Sequence, residues 1–232
     1  MQAFEQIPSP ASVAPLACPG AGSVQDAALG STFRALDAAL QARDACTHTH
    51  CQRVISYSLA LGRLMGLSGH ELVTLERGVF LHDIGKIHMP DSVLLKPGLL
   101  SAAERTLIQQ HSAIGFEMLR HNPLLTDAAE IVLAHHERYN GSGYPMGLRG
   151  EDIPLGARIC AIADTFDALT SIRPYRTPMS FEDACSYINS ERGRLFDPDI
   201  VDMFSALPPS QWQAVHRLAR PSTILTSLSQ AA

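Results

Sequence analysis

The sequence predicts an all-α protein, built as a helical bundle with short loops. Two observations support this fold class. Apolar residues recur at three- and four-residue spacing along most of the chain, which is the period of an amphipathic helix. No convincing run of alternating β-branched residues interrupts this pattern, so nothing in the sequence indicates a sheet.

Length and composition set the first limits on function. A chain of 232 residues can bury one substantial core. The net charge of −5, without a polybasic run, argues against a nucleic-acid polymer as the main partner. The five cysteines form no CxxC pair, which is typical of a reducing cytoplasm. Because no stretch reaches about 18 apolar residues, we expect a cytoplasmic protein without membrane insertion.

The chain begins with an extension and a lead-in helix. Residues 1–25 are rich in Pro, Ala, Ser and Gly and carry little charge, which is typical of a flexible extension. Over 26–43, apolar residues from Leu29 to Leu40 recur at helical spacing. This lead-in helix is expected to pack on the main domain or to pair with a second copy in a homodimer.

The main domain is expected to span residues 44–218, followed by a tail at 219–232. Ser68 and Ser101 are candidate N-caps, and Glu104 stands at capping-box spacing from Ser101. The last three predicted helices are additional C-terminal ones. The predicted helices run over about Thr49–Met65, Gly69–Asp83, Ser101–Arg120, Thr126–Glu137, Pro154–Thr170, Ser180–Arg192, Pro198–Leu207 and Ser210–Leu218.

Polar residues stand inside otherwise apolar segments of five successive helices. A lone histidine there is more often a hydrogen-bonded core residue, and His82-Asp83 alone also fits a helix end with Gly85 as its C-cap. Seven such residues cannot all find neutral partners at low cost, whereas a pair of divalent cations satisfies them together. Imidazole with carboxylate suits Fe, Mn, Zn, Ni or Co rather than Ca or Mg. The seven are His50, His82, Asp83, His111, His135, His136 and Asp164.

An ordered series of motifs resembles the HD-GYP family, the branch of the HD phosphohydrolase superfamily that hydrolyses cyclic di-GMP. The series is far more specific than a bare His-Asp dipeptide, and the similarity covers about Asp44 to Asp199. Its main motifs are His82-Asp83-Ile84-Gly85-Lys86, His135-His136-Glu137 and Gly141-Ser142-Gly143-Tyr144-Pro145. Supporting segments are Leu94–Gly98, Ile153–Ile159, Ala163–Ser171 and Arg173–Arg176.

The resemblance implies an HD-domain helical bundle and a metal-dependent phosphodiesterase. It makes the same seven residues metal ligands, with Asp83 bridging two divalent ions, iron first and manganese, nickel, cobalt or zinc as alternatives. The implied reaction opens cyclic di-GMP to linear pGpG, with GMP as a further product, by attack of a metal-bridging hydroxide on phosphorus. Some family members carry a glutamate for a third metal where this chain has Cys46, so we favour a binuclear site.

The resemblance also implies substrate contacts. Asp83 and Lys86 are the expected catalytic residues, with Lys86 donating to a nonbridging phosphate oxygen. The alternative for Lys86 is a surface lysine favoured by the helix dipole. Tyr144 offers a stacking face and a hydroxyl, whereas Asp167 would either touch guanine or hold a metal ligand. The remaining expected contacts are Arg173 and Arg176.

The glycine-rich loop has two interpretations. Gly141, Gly143 and Pro145 are expected to shape it around Tyr144. In related proteins this loop is associated with binding of diguanylate cyclase (GGDEF) domains, so these four residues are candidate partner contacts; the alternative is a lid over the substrate pocket. Two other functions stay open: a cyclic di-GMP sensor or scaffold that does not hydrolyse, and a phosphohydrolase for another cyclic dinucleotide.

Overall fold

The computed structural model describes residues 31–33, 35–36, 38–39, 47–172 and 177–219. Within these ranges every regular element is a helix and no strand occurs, so the predicted all-α class is confirmed. No helix of these ranges is long and apolar enough to cross a bilayer. Four sets of predictions lie outside the described residues: the extension at 1–25, nearly all of the tail, Cys46, and the pair Arg173 and Arg176.

Among the described residues, ten α-helices lie between 47 and 219, and the described residues between 31 and 39 are also helical. The same part of the chain has two short 3₁₀ turns, Ile84–His88 and Gly150–Asp152. The helices are α1 (Thr47–Leu64), α2 (Gly69–Leu81), α3 (Asp91–Leu94), α4 (Ala102–Gln109), α5 (His111–Leu119), α6 (Thr126–Ala134), α7 (Leu155–Thr170), α8 (Phe181–Ser190), α9 (Pro198–Ser205) and α10 (Pro209–Arg217).

The helix predicted over Ser101–Arg120 is two helices in the structure. α4 begins with the expected capping box: Ser101 Oγ accepts from the Glu104 amide, and the Glu104 carboxylate accepts from the Ser101 amide. α4 ends at Gln109, and α5 begins at His111. The apolar period runs on across this break, which is why periodicity alone joined the two helices.

The core lies between α1, α2, α6 and α7, and α5 packs on α6 and on the 3₁₀ turn Ile84–His88. The C-terminal helices cover α1 and α7, where the buried ring of Trp212 stacks on Phe204 with centroids 4.7 Å apart. Phe33, from the helical residues before α1, is fully buried and contacts Phe80 of α2. This packing brings the ends of α2 and α6 beside α1, α5 and α7.

Candidate metal centre

The structure brings the seven expected ligands together at one place in the bundle. They form two groups, and within each group the ligand atoms lie within 4.8 Å of one another. Asp164 of α7 joins the first group, because its Oδ1 lies 3.3 Å from His50 Nε2. The first group is His50, His82 and Asp83, and the second is His111, His135 and His136.

The carboxylate of Asp83 lies between the two groups. Its Oδ2 lies 3.4 Å from His82 Nε2, and its Oδ1 lies 3.5 Å from His111 Nε2. Lys86, at the next turn of the chain, donates to Oδ2 at 2.7 Å. Each oxygen of one carboxylate therefore faces a different set of imidazoles, which is the arrangement that a bridging ligand needs.

Three of the histidines are oriented by main-chain carbonyls at helix ends. The Nδ1 atoms of His82, His111 and His135 each bond the carbonyl three residues earlier, at 2.6, 2.7 and 2.7 Å. These carbonyls belong to the last turns of α2, α4 and α6, where carbonyls lack partners within the helix. Because a carbonyl only accepts, Nδ1 carries a proton, so Nε2 is the atom whose lone pair can bind a metal when the ring is neutral.

The second group fits a divalent metal. His111 Nε2 and His135 Nε2 lie 3.3 Å apart, so two lone pairs face each other, and a cation would turn this repulsion into ligation. Burial and the neighbouring histidines lower the pKa of His135 well below its usual value and that of His136 to about 4. Burial also lowers the pKa of His111. The three rings are therefore neutral at pH 7, the form in which imidazole binds metals.

In the first group, neighbouring carboxylates raise the pKa of a histidine, in contrast to the lowered histidine pKa values of the second group. Burial alone would lower the pKa of His50, but hydrogen bonds with Asp164 and Asp167 raise it to about 9. Despite its burial, the pKa of Asp83 is held well below the usual range by Lys86 and His82, and that of Asp164 by His50. Both carboxylates are ionised and need a positive partner, so metal binding here would release protons from the imidazoles.

Arg53 is a site residue that the sequence reasoning missed. Asp167 is buried, and its Oδ2 accepts from His50 Nδ1 at 2.7 Å and from Arg53 Nη2 at 3.0 Å. Its Oδ1 accepts from Arg53 Nε at 2.5 Å and from Ser171 Oγ at 3.1 Å. Arg53 lies one helical turn after His50 on α1, so its spacing was the signal that could have identified it.

The glycine-rich loop covers the second group. The ring of Tyr144 stacks on His136 with centroids 4.8 Å apart and an interplanar angle of 29°. Burial, with the charges of Asp83 and Asp164, raises the pKa of Tyr144, so its hydroxyl keeps its proton and can donate. Gly141 has a φ of +82°, which favours glycine. Pro145 lies exposed on the outer side of the loop.

Glu137 is a second residue to which the sequence assigned no role. It is buried, and its Oε1 accepts from the amides of Met146 at 2.7 Å and Gly147 at 3.0 Å. A Cβ at Gly143 would lie 2.5 Å from Glu137 Cα, so only glycine fits there. The signal was its place in the His-His-Glu motif, directly after two expected ligands.

Comparisons with known proteins agree with the motifs. A family model described as an HD domain matches residues 34–200. The chain is 46% identical over 173 residues to the cyclic di-GMP phosphodiesterase response regulator RpfG of Xanthomonas campestris pv. campestris, covering 74% of this chain and 46% of that protein. It is 44% identical over 167 residues to a cyclic di-GMP phosphodiesterase of Thermotoga maritima, covering 71% of this chain and 45% of that protein.

A third relative is named for a different cyclic dinucleotide. The chain is 42% identical over 167 residues to the 3'3'-cGAMP-specific phosphodiesterase 2 of Vibrio cholerae, covering 71% of this chain and 32% of that protein. The chain thus spans less than half the length of these three relatives.

Solved structures confirm the fold. The cyclic GMP-AMP specific phosphodiesterase V-cGAP3 of V. cholerae matches with a TM-score of 0.55 at 24% identity, covering 75% of this chain and 50% of that one. Bd1817 of Bdellovibrio bacteriovorus, described as an HDG"Y"P protein, matches with a TM-score of 0.55 at 21% identity, covering 78% of this chain and 61% of that one. The chain belongs to the HD-domain family, in the HD-GYP branch that its ordered motifs predict.

Proposed function

We propose that this chain is a metal-dependent phosphodiesterase that hydrolyses cyclic di-GMP to linear pGpG, with GMP as a further product. The observation that carries the proposal is the position of Asp83, whose two oxygens face separate groups of histidines while Lys86 bonds one of them. The names of two relatives at 44% and 46% identity support the same substrate.

Two divalent ions fit this set of donors. Iron is our first choice, with manganese, nickel, cobalt or zinc as alternatives, because imidazole and carboxylate suit these metals. When bound, such a pair of ions activates water and neutralises charge on a phosphoryl group. Asp83 would be shared by the two ions. The first ion would be held by His50, His82, Asp83 and Asp164, and the second by Asp83, His111, His135 and His136.

The other expected site residues act on the substrate or on the ligands. Lys86 is about a quarter exposed, so its ammonium can meet a phosphate oxygen as well as Asp83. The protonated hydroxyl of Tyr144 can donate to the same substrate. Asp167 bonds His50 and Arg53 from a buried position, which favours holding a ligand over touching guanine. Arg173 and Arg176 stay predicted contacts to the second phosphate or to a base.

The glycine-rich loop is a candidate contact for a GGDEF domain. Pro145 and Met146 are exposed, whereas Tyr144 packs on His136, so the loop has an outer surface as well as an inner one. Substitution of the exposed side chain of Met146, which leaves its amide bond to Glu137 in place, should weaken GGDEF binding and leave turnover of cyclic di-GMP unchanged. A loss of turnover without a loss of partner binding would instead identify the loop as a lid.

The decisive experiment is turnover by protein purified without oxygen and loaded in turn with Fe, Mn, Ni or Co. We expect cyclic di-GMP to yield pGpG. Asp83→Asn should lower kcat by at least about 1,000-fold, since a neutral amide with one oxygen replaces the carboxylate that two ions would share. Asp127→Asn, an exposed substitution on α6, is the matched control and should retain activity. Absence of product with every metal would contradict the proposal.

A second candidate substrate is 3'3'-cGAMP, because one relative at 42% identity is named for it. Parallel measurements of kcat/KM with both cyclic dinucleotides separate the two substrates. Saturable binding of cyclic di-GMP without turnover would instead identify a sensor.

A further inference from the structure

Glu137 is a buried carboxylate that belongs to neither group of candidate metal ligands. Only 3% of its surface is exposed, and burial of a carboxylate is costly unless hydrogen bonds compensate it. Its Oε1 accepts from the Met146 and Gly147 amides, and among the described residues Oε2 has no hydrogen-bond partner. The bonds that compensate Glu137 therefore come from a loop nine and ten residues later in the chain.

The same loop contacts His136 directly. The Tyr144 amide donates to the His136 carbonyl at 3.3 Å, and the two rings stack. At Gly143 the backbone lies against Glu137, where a side chain would collide with main-chain atoms. Three kinds of contact, namely carboxylate to amide, amide to carbonyl and ring to ring, thus close the segment 143–147 onto His136 and Glu137.

We propose that Glu137 is a positioning residue whose carboxylate closes the segment 143–147 and thereby holds Tyr144 on His136. The consequence for substrate rests on the proposed function: a fixed Tyr144 presents its hydroxyl to a cyclic dinucleotide without a cost of ordering the loop at each binding event. Loss of the two hydrogen bonds between Glu137 and the loop should therefore raise KM more than it lowers kcat. Metal binding should persist, because carbonyls of α4 and α6 orient His111 and His135.

Two substitutions distinguish the effect of the hydrogen bonds made by Glu137 from the effect of its charge. In Glu137→Gln the carboxamide oxygen still accepts both amide protons, whereas Glu137→Ala removes the acceptor. Glu151→Ala is the matched control, because Glu151 is an exposed glutamate in the 3₁₀ turn after the loop. If Glu137→Ala does not fold, Glu137→Asp takes its place. Its side chain is one methylene shorter, so its carboxylate does not reach the two amides, and exchange and KM should again rise.

The test measures amide hydrogen exchange of Met146 and Gly147 in the full chain, with and without metal, together with metal content, kcat and KM. Glu137→Ala should speed exchange at both amides by about 100-fold, since it removes the acceptor of both hydrogen bonds and leaves two amides unpaired. KM for cyclic di-GMP should rise by about 10-fold with metal content unchanged. Glu137→Gln and Glu151→Ala should stay within a few-fold of the wild type.

Unchanged exchange in Glu137→Ala would overturn the proposal, and so would a Glu137→Gln variant that exchanges as fast as Glu137→Ala. A wild-type chain that turns over no cyclic dinucleotide would overturn the proposed function. The exchange measurement would still decide whether Glu137 closes the loop, because it does not depend on catalysis.

Discussion

His50 differs from the other oriented histidines in what holds its ring. His82, His111 and His135 bond main-chain carbonyls, whereas His50 bonds the carboxylate of Asp167. A carboxylate partner fixes the ring and makes the opposite nitrogen a stronger donor to a metal. Asp167 is in turn held by Arg53, so the orientation of the expected ligand His50 depends on an ion pair between α1 and α7.

Asp167→Asn tests this dependence. The asparagine keeps the shape but loses the charge, so metal affinity should fall by about 10- to 100-fold with the fold retained. Metal content after competition with a chelator, and circular dichroism, measure the two effects. Asp152→Asn, at an exposed position, is the control. If Asp167 touches guanine instead, KM will rise at unchanged metal affinity.

Between elements, a contact of two backbones positions Asp83 relative to His111. The 3₁₀ turn Ile84–His88 lies directly on α5: a Cβ at Gly85 would be 1.9 Å from the His111 carbonyl oxygen and 2.8 Å from the Gly115 amide nitrogen. Side chains at this point would force the two elements apart. Packing therefore requires glycine at position 85. The sequence shows a glycine in the His-Asp-Ile-Gly-Lys motif, but only the structure shows that the backbone of α5 leaves no room for a side chain there.

Gly85→Ala should displace α5 from the turn. Overpacking of this kind costs about 1–3 kcal/mol and should lower Tm by several degrees. The displacement would also separate His111 from Asp83, so metal content should fall. Thermal unfolding and metal analysis measure both, and Ala103→Gly, an exposed substitution in α4, should affect neither strongly. Full metal content in Gly85→Ala would contradict this account.

Across the whole molecule, the expected metal ligands from α1, α5, α7 and the ends of α2 and α6 meet at one centre. A metal bound at this centre would therefore join five helices of the bundle between residues 50 and 164. Any ion that binds this arrangement and not the unfolded chain adds to the free energy of unfolding. The bundle and the site should accordingly be stabilised together.

Metal removal tests this coupling. At about 100 times its Kd, a bound ion stabilises by about 2.7 kcal/mol, which corresponds to about 5–10 °C in Tm for a domain of this size. Chelation should lower Tm by that amount, and added Mn or Ni should restore it. In Asp83→Asn, chelation should lower Tm by much less. If chelation lowers Tm equally in the wild type and in Asp83→Asn, the stabilising ion binds at another place.

The sequence by itself determined the helical class, the capping box of Ser101 and Glu104, the family and the seven candidate ligands. Periodicity, capping and motif spacing are local properties, so they can be seen without a fold. Only the tertiary structure decided that Asp83 faces both groups of histidines, that Arg53 supports Asp167 and that Glu137 holds the loop. Those facts depend on side-chain directions and on distances between segments far apart in the chain: His50 and its partner Asp167 are 117 residues apart, and no local pattern joins them.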